Sequence, residues 1–501
     1  MIRTVHKVLG TETEYGIAVR GRPGYNPVTA STMVVSALAG QRRVRWSYDE
    51  ETPGRDARGF GHGAADFDTG MLNAVLPNGA RFYVDHAHPE YSTPECYDPL
   101  EAALYDKAGE VTLARAAAAA QSTLGPGEQF LIHKNNSDGK GNSYGSHENY
   151  LVARAVPFGE IVAHLTAFLV TRQVFTGSGK VGSENGRPAV PYQISQRADF
   201  FEEEVGLETT LKRPLVNTRD EPHADPGAYR RLHVIPGDAN LSEKQLFLKL
   251  GSTAVVLAAL EAGALGKPLR LEDPVGSTWR VSHDPGLRRT VRLEGGKTAT
   301  PLALQREYLD RGRRYADAAA DGPQWRAVLD LWEGTLDRLE TDPATTAGYL
   351  DWTAKLRLLE EFRARDGLAW SHPKVRLLAL QYHDVDPARS LHRRLVAAGR
   401  MERLFDDDAV ERAAGVPPER TRAYFRGQCL TRFGEAVVAA NWDSLVFDVG
   451  EAGLRRVPMM EPLRGGRESV ADLIAGSASA ADLVRALGGD DARTGTQTAS
   501  P

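Results

Sequence analysis

The sequence predicts an α+β fold closed by a small C-terminal unit. Short runs that alternate polar with apolar residues, the mark of half-buried strands, recur between Val5 and Ile235. Amphipathic helical periodicity dominates from Pro301 to Arg365. Pro417-Pro418 then interrupts the chain before a last short stretch that contains Thr431-Arg432-Phe433, Trp442 and Leu445-Val446-Phe447.

Taken in order, Val5–Leu9 reads as a strand, and beyond Gly10 the alternation continues through Thr11–Val19. The two-residue period puts Glu12 and Glu14 on one face, which is unusual for a core strand and suggests a site. A helix is expected over Ser31–Leu38. Residues 41–78 carry paired charges, several glycines and little periodicity, so they predict a mobile insertion beside the site, not core structure. Strands resume at Ala80–Asp85 and Phe130–Lys134, on either side of an alanine-rich helix over Leu100–Gln121. Ile161–Val174 predicts a buried helix, Arg230–Ile235 a strand and Ser242–Ala264 a long apolar helix. The expected organisation is a catalytic domain over residues 1–415, a small domain over 416–487 and a disordered tail over 488–501.

Composition narrows the function. Over 501 residues, a hydrophobic content of 42% and a charged content of 25% are ordinary for a globular protein with a sizeable core. A net charge of −5 argues against a general nucleic-acid binder. Two cysteines, Cys96 and Cys429, build neither a disulfide framework nor a structural zinc site. The start of the chain lacks the apolar core of a signal peptide, and no apolar run is long enough to span a membrane, so a soluble, cytoplasmic protein is expected.

Five constellations carry chemistry. Gly10-Thr11-Glu12-Thr13-Glu14-Tyr15-Gly16 offers two carboxylates suited to a hard cation such as Mg²⁺. Arg81, Tyr83 and Asp85 share a strand face, and Glu90 and Glu95 add carboxylates beyond a turn. The His86-Ala87-His88 pair invites a zinc reading, but the surrounding carboxylates favour a hard cation. Lys134–Tyr150 is a glycine- and asparagine-rich loop that delivers His147 and Asn149 with like orientation. Ser195–Asp199 and Asn217–Asp225 contribute Arg197 and Arg219, and Arg230–Leu241 sets Arg231 and His233 on one face. By contrast, Gly177–Gly182 fits G-x-G-x-x-G but follows a helix-like segment and lacks the spacing of a phosphate loop. It predicts a turn near the substrate groove.

In this order, the Gly10–Gly16, His88–Cys96, Tyr144–Tyr150 and Asn217–Asp225 motifs resemble those of the Pup ligase/Dop family, a carboxylate-amine ligase branch related to glutamine synthetase. Pup is a small protein tag. The resemblance implies a glutamine-synthetase-like cradle: a curved, mainly antiparallel β-sheet packed against helices, with ATP and Mg²⁺ at one end. It puts Glu12, Tyr83, Glu90, His147 and His233 at magnesium-ligand positions, and Arg81, Thr93, Asn149, Arg231 and Trp442 at nucleotide-contacting ones. Asp85 matches the catalytic aspartate. Arg197 and Arg219 fall where contacts to phosphate or to the tag's terminal carboxylate are expected. Pup and pupylated proteins are the implied partners, with the proteasomal ATPase machinery as a further one.

The family has two branches. One ligates a glutamate γ-carboxylate of the tag to a lysine at the expense of ATP. The other deamidates the tag's C-terminal glutamine and cleaves the isopeptide bond between tag and target. Thr11 after Gly10, the contracted Asp85-His86-Ala87-His88 and the long 41–78 segment resemble the hydrolytic branch. The ligase is the nearer alternative. A non-catalytic Pup-binding regulator would be marked by loss of Asp85 or of the metal ligands, and none is lost.

Overall fold

The computed structural model describes residues 4–39, 44–48, 51–52, 54–59, 72–210, 212–450 and 453–488. The core element is a six-stranded sheet with the order Tyr229–Val234, Ser146–Ala153, Leu9–Glu14, His88–Ser92, Arg81–Asp85, Asn73–Val75. Every neighbouring pair in it is antiparallel. The α+β expectation therefore holds, with a mainly antiparallel sheet and many helices.

The expected run from Val5 to Val19 is two strands in two sheets. Leu9–Glu14 joins the large sheet, whereas Gly16–Arg20 pairs with Gln129–His133 in a separate one. The break has a steric cause at Gly16, where a Cβ would sit 2.4 Å from the Tyr144 hydroxyl and 2.6 Å from Asn135 Oδ1. Only a glycine lets the chain turn this close to its neighbours. Among the described residues, 4–8 precede the sheet and do not enter it: the buried Lys7 ammonium donates to the Val5 carbonyl and pairs with Glu261 at 2.6 Å.

One face of the sheet is covered by helices Pro99–Ala120 and Glu243–Glu261. Asp98 starts the first by accepting from the Glu101 amide at 2.9 Å, with Pro99 in the first turn, while Glu101 reaches back to the Tyr97 amide. Ser242 caps the second. The contact is apolar at Phe82, Tyr91 and Tyr150 but also carries buried ions: Lys134 bridges Asp106 and Glu110, and Arg172 pairs with Glu148 at 2.6 Å. Each charge has its partner, as burial demands. The helical stretch expected over Pro301–Arg365 resolves into Pro301–Ala318, Arg326–Thr341 and Asp351–Asp366. Gly177–Gly179 is irregular rather than a turn and leads into the two-residue strand Lys180–Val181, which pairs with Tyr192–Gln193.

The C-terminal unit departs from the expected boundaries. Its sheet, Leu454–Pro458, Ser444–Asp448 and Val437–Ala440, is completed by Arg45–Trp46, which pairs parallel to Val437–Ala440. Val44, Trp46 and Val75 belong to its apolar core beside Phe425, Leu445 and Phe447. The unit is thus discontinuous in sequence, and the two ends of the 41–78 segment are packed structure. A second anchor ties Asp56 to Thr218, whose hydroxyl donates to it at 2.8 Å, and the Asp56 and Arg219 backbones bridge. The middle of the segment, 60–71, and the tail from 489 lie outside the described residues. Among the described residues no helix is long and apolar enough to cross a membrane.

Candidate active site on the open face of the sheet

Strand register alone assembles the site. Glu12 lies opposite His147 on one side and Ser92 on the other; Glu14 lies opposite Glu90. Across the next hairpin, Tyr83 faces Glu90, Arg81 faces Ser92 and Asp85 faces His88. At the far edge His233 faces Asn149. Directly opposed residues of an antiparallel pair share a face, as do residues two apart on one strand. Glu12, Glu14, Arg81, Tyr83, Asp85, Glu90, His147, Asn149, Arg231 and His233 therefore all project from the face that the helices leave uncovered.

The side chains interlock. The Asn149 amide donates to Glu12 Oε1 at 2.8 Å, and its oxygen accepts from Arg231 at 2.6 Å and lies 2.9 Å from His233 Nδ1. Glu12 and His147 approach to 3.7 Å, and the His147 and His233 rings meet edge to face at 4.8 Å. Glu14 is held by His88 at 3.0 Å and by the Gly145 amide at 2.6 Å. Gly145 has to be glycine: a Cβ there would lie 2.6 Å from the His147 ring and 2.7 Å from Glu14 Oε1.

The electrostatics point to a cation. Burial, then the negative charges of Asp85, Glu14 and Glu12, push the Glu90 carboxyl well above its ordinary range. Burial also works against ionised Glu12, yet the neighbouring His147 and the fields of His233 and Arg231 hold it well below. Burial keeps the His233 imidazole neutral, the form that ligates metals. Glu12, His147 and His233 offer ligand atoms within 4.8 Å of one another. Two imidazoles are softer than the usual magnesium shell, and Glu14 and Glu90 supply the hard oxygens beside them. This donor set fits a divalent cation, which would relieve the crowding of carboxylates. Tyr83 adjoins it through Glu90, with its phenol pushed well above the ordinary range by burial and then by Glu90.

A cavity opens at the Gly10 end of the central strand. Thr93, Asn149, Arg231, His223, Arg422 and Trp442 are among the residues that line it. The Thr93 hydroxyl accepts from the Thr11 amide at 2.9 Å. Trp442 reaches the cavity from the C-terminal unit, edge to face with Trp46 at 5.2 Å. Arg81 stands over both Trp46 and Tyr83, with its guanidinium 4.0 and 3.9 Å from the ring centres. At the opposite end Asp85 closes its strand with a side chain 38% exposed, 3.1 Å from His86. The hydrogen bond that His86 donates to Asp85, and the carboxylate's charge, raise the His86 pKa to about 9.

The remaining candidates are placed differently. Arg197 is buried below the Glu14 end, where it donates to Ser143 and to the Ile235 carbonyl. Arg219 is half-buried beside His223, and its Nε has no hydrogen-bond partner among the described residues. Glu95 turns away from the cation site into a clamp with Arg422 and Arg426. Sequence reasoning missed Trp46. The alternation Val44-Arg45-Trp46-Ser47-Tyr48 was the available signal, hidden among charges and glycines.

A family model described as Pup-ligase protein matches residues 7–446. The chain belongs to that family. Along 97% of its length it is 53% identical to the depupylase of Acidothermus cellulolyticus, covering 100% of that protein. It is 50% identical to the Pup deamidase/depupylase of Mycolicibacterium smegmatis over 96% of this chain and 100% of the relative. Similarity to the Pup–protein ligase of Acidimicrobium ferrooxidans is lower, 39% over 95% of this chain and 99% of the ligase. Among solved structures, the Pup ligase PafA in complex with Pup superposes with a TM-score of 0.81 at 30% identity, covering 99% of both chains. PafA in complex with ADP gives 0.73 at 35%, covering 81% of this chain and 89% of the other.

Proposed function

We propose that this family member is a Pup deamidase/depupylase, an ATP- and magnesium-dependent hydrolase of the γ-amide or isopeptide bond at the tag's C-terminal residue. The observation that carries the reading is the graded similarity: 49–53% identity to four relatives named depupylase or Pup deamidase/depupylase, against 39% to the ligase above. The open sheet face supports it by joining a cation-ready donor set to a partly exposed carboxylate.

Glu12, Glu90, His147 and His233, with Tyr83 beside them, would hold Mg²⁺, which supplies Lewis-acid polarisation of phosphate and carbonyl oxygens. Arg81, Thr93, Asn149, Arg231 and Trp442 would hold the nucleotide as a retained cofactor, with Arg219 in reach of its phosphates. Asp85 acts on the γ-carbonyl, as attacking carboxylate or as base toward water; the family resemblance leaves an activated phosphate open as the nucleophile in its place. Either way the C–N bond breaks, water supplies oxygen to the carbonyl carbon, and ammonia or the target's lysine amine departs with the proton. One site serves both reactions because both open the same carbonyl.

The test is to incubate the chain with ATP, Mg²⁺ and glutamine-ended Pup, and in parallel with glutamate-ended Pup and a lysine-bearing acceptor. Ammonia release without adduct is expected. Adduct formation without ammonia would make the protein a ligase.

A further inference from the structure

The turn that carries the chain from Asp85 into the next strand holds a side chain that neither the cation site nor the nucleotide site uses. His86 and Ala87 join Arg81–Asp85 to His88–Ser92, and His86 takes the left-handed conformation at φ 51°. That region is sparsely populated for a residue with a side chain, and it persists only where the surroundings hold it. The Ser31 hydroxyl, on the helix Pro27–Ala39, donates to the Ala87 carbonyl at 2.8 Å. His88 is held by Glu14 and lies against the Tyr144 ring, with 4.3 Å between centres. The turn sets His86 beside Asp85, with Nδ1 3.1 Å from Asp85 Oδ2. Among the described residues Nε2 makes no hydrogen bond, and the His86 side chain is 65% exposed against 38% for Asp85.

Opening an amide releases a nitrogen that cannot depart as an anion. Whichever oxygen attacks the carbonyl, the nitrogen must take a proton as the C–N bond breaks. Asp85, acting as nucleophile or as base, has none to give. Tyr83 and Glu90 belong to the cation site, and His88 is engaged by Glu14. His86 is a proton donor at neutral pH: the bond to Asp85 and its charge, helped by Glu14 against partial burial, hold its pKa at about 9. The helix Pro27–Ala39 behind the turn carries no charged residue to oppose them. Geometry agrees. The amine of an isopeptide bond belongs to a folded target, which stays on the solvent side of the cleft, and His86 is the more exposed member of the pair. We propose that His86 Nε2 donates its proton to the leaving nitrogen. This deepens the proposed hydrolase reading and rests on it. A C–O bond forms and the C–N bond breaks; the nitrogen keeps the bonding pair, takes the Nε2 proton and leaves as ammonia or as the lysine amine. The proton that water gives up, to Asp85 as base or in opening an acyl intermediate, returns to Nε2 through the solvent that both side chains face.

Leaving groups that differ in their need for a proton test this. Glutamine-ended Pup must release ammonia, whereas the same tag ending in a glutamate γ-thioester expels a thiolate, which leaves without one. Turnover of both tags is measured with ATP and Mg²⁺, corrected for uncatalysed hydrolysis, for the wild type, His86→Asn and His86→Gly. Nucleotide affinity and melting temperature are recorded on the same preparations. Asparagine and glycine both accept a positive φ, so the turn is kept. On the amide each variant should lose at least about a hundredfold, the lower end of proton-transfer catalysis, and the loss on the thioester should be at least about tenfold smaller. Imidazole added in solution should restore part of the amide turnover of His86→Gly, because the vacated position is open to solvent. Equal losses on the two tags would overturn the proposal and leave His86 as a support for Asp85. Amide turnover by His86→Gly that imidazole does not raise would overturn it too. If one variant does not fold, the other decides through the comparison of the two tags. No ammonia release by the wild type would instead overturn the hydrolase reading, and this role for His86 with it.

Discussion

Glu12 shows how one residue concentrates the requirements of the site. It touches Asn149, His147 and Arg231 and owes its ionisation to His147, His233 and Arg231 against the cost of burial. Glu12→Ala should weaken Mg²⁺-nucleotide binding by at least about tenfold, the loss of one hard ligand and its charge, with little change in melting temperature. Calorimetric titration checks this, and unchanged affinity would remove Glu12 from the cation site. Gly145→Ala should be as damaging without removing any functional group, because its methyl would displace both His147 and Glu14. At this scale the sequence was largely legible. A period of two is enough to set Arg81, Tyr83 and Asp85, or Arg231 and His233, on one side of a strand. The clash at Gly145 was not legible, nor was the turn of Glu95 away from the cation, because both depend on partners far along the chain. Glu95 lies 327 and 331 residues from the two arginines that take it.

Elements were legible wherever their own pattern decided them. The helix expected over Leu100–Gln121 is Pro99–Ala120, and the strand expected over Arg230–Ile235 is Tyr229–Val234. The 41–78 segment failed this rule because its packed residues are few and are paired by distant strands. Arg45–Trp46 is only two residues long and exists because Val437–Ala440 offers it an edge. Trp46 is 6% exposed, donates to Glu51 at 2.5 Å and backs Arg81. Trp46→Ala should therefore destabilise the protein by about 3 kcal/mol or more and weaken nucleotide binding through Arg81. A deletion confined to 60–71 should leave the melting temperature within about 2 °C, since the anchors at Trp46 and Asp56 remain. It should change the deamidation rate. An unchanged rate would make that stretch an inert insertion, and a large drop in melting temperature would make it core.

At the scale of the whole molecule, a largely buried carboxylate is among the contacts that join the C-terminal unit to the catalytic sheet. Glu95 accepts from Arg422 at 2.7 Å and from Arg426, and Arg426 also reaches the Trp442 carbonyl at 3.1 Å. Burial alone would raise the Glu95 pKa, but the two arginines hold it at about 2 against an ordinary 4.5. The folded value is the lower one, so the contribution, about 3 kcal/mol, is present above pH 4.5 and lost as pH falls toward 2. Glu95→Gln should remove it, flattening the acid limb of the stability curve in denaturant titrations and loosening the Trp442 side of the cavity. A variant as acid-sensitive as the wild type would show that the clamp is not what titrates. This long-range joint, like the discontinuous C-terminal sheet, could not be read from local pattern. The central claim nevertheless concerns Asp85, at the open end of the polar face. The direct measurement is ammonia release from glutamine-ended Pup by the wild type and by Asp85→Asn, with nucleotide affinity titrated on the same preparations. The account predicts steady release from the wild type and none above background from Asp85→Asn, at equal nucleotide affinity; a variant that keeps more than a small fraction of wild-type turnover would contradict it.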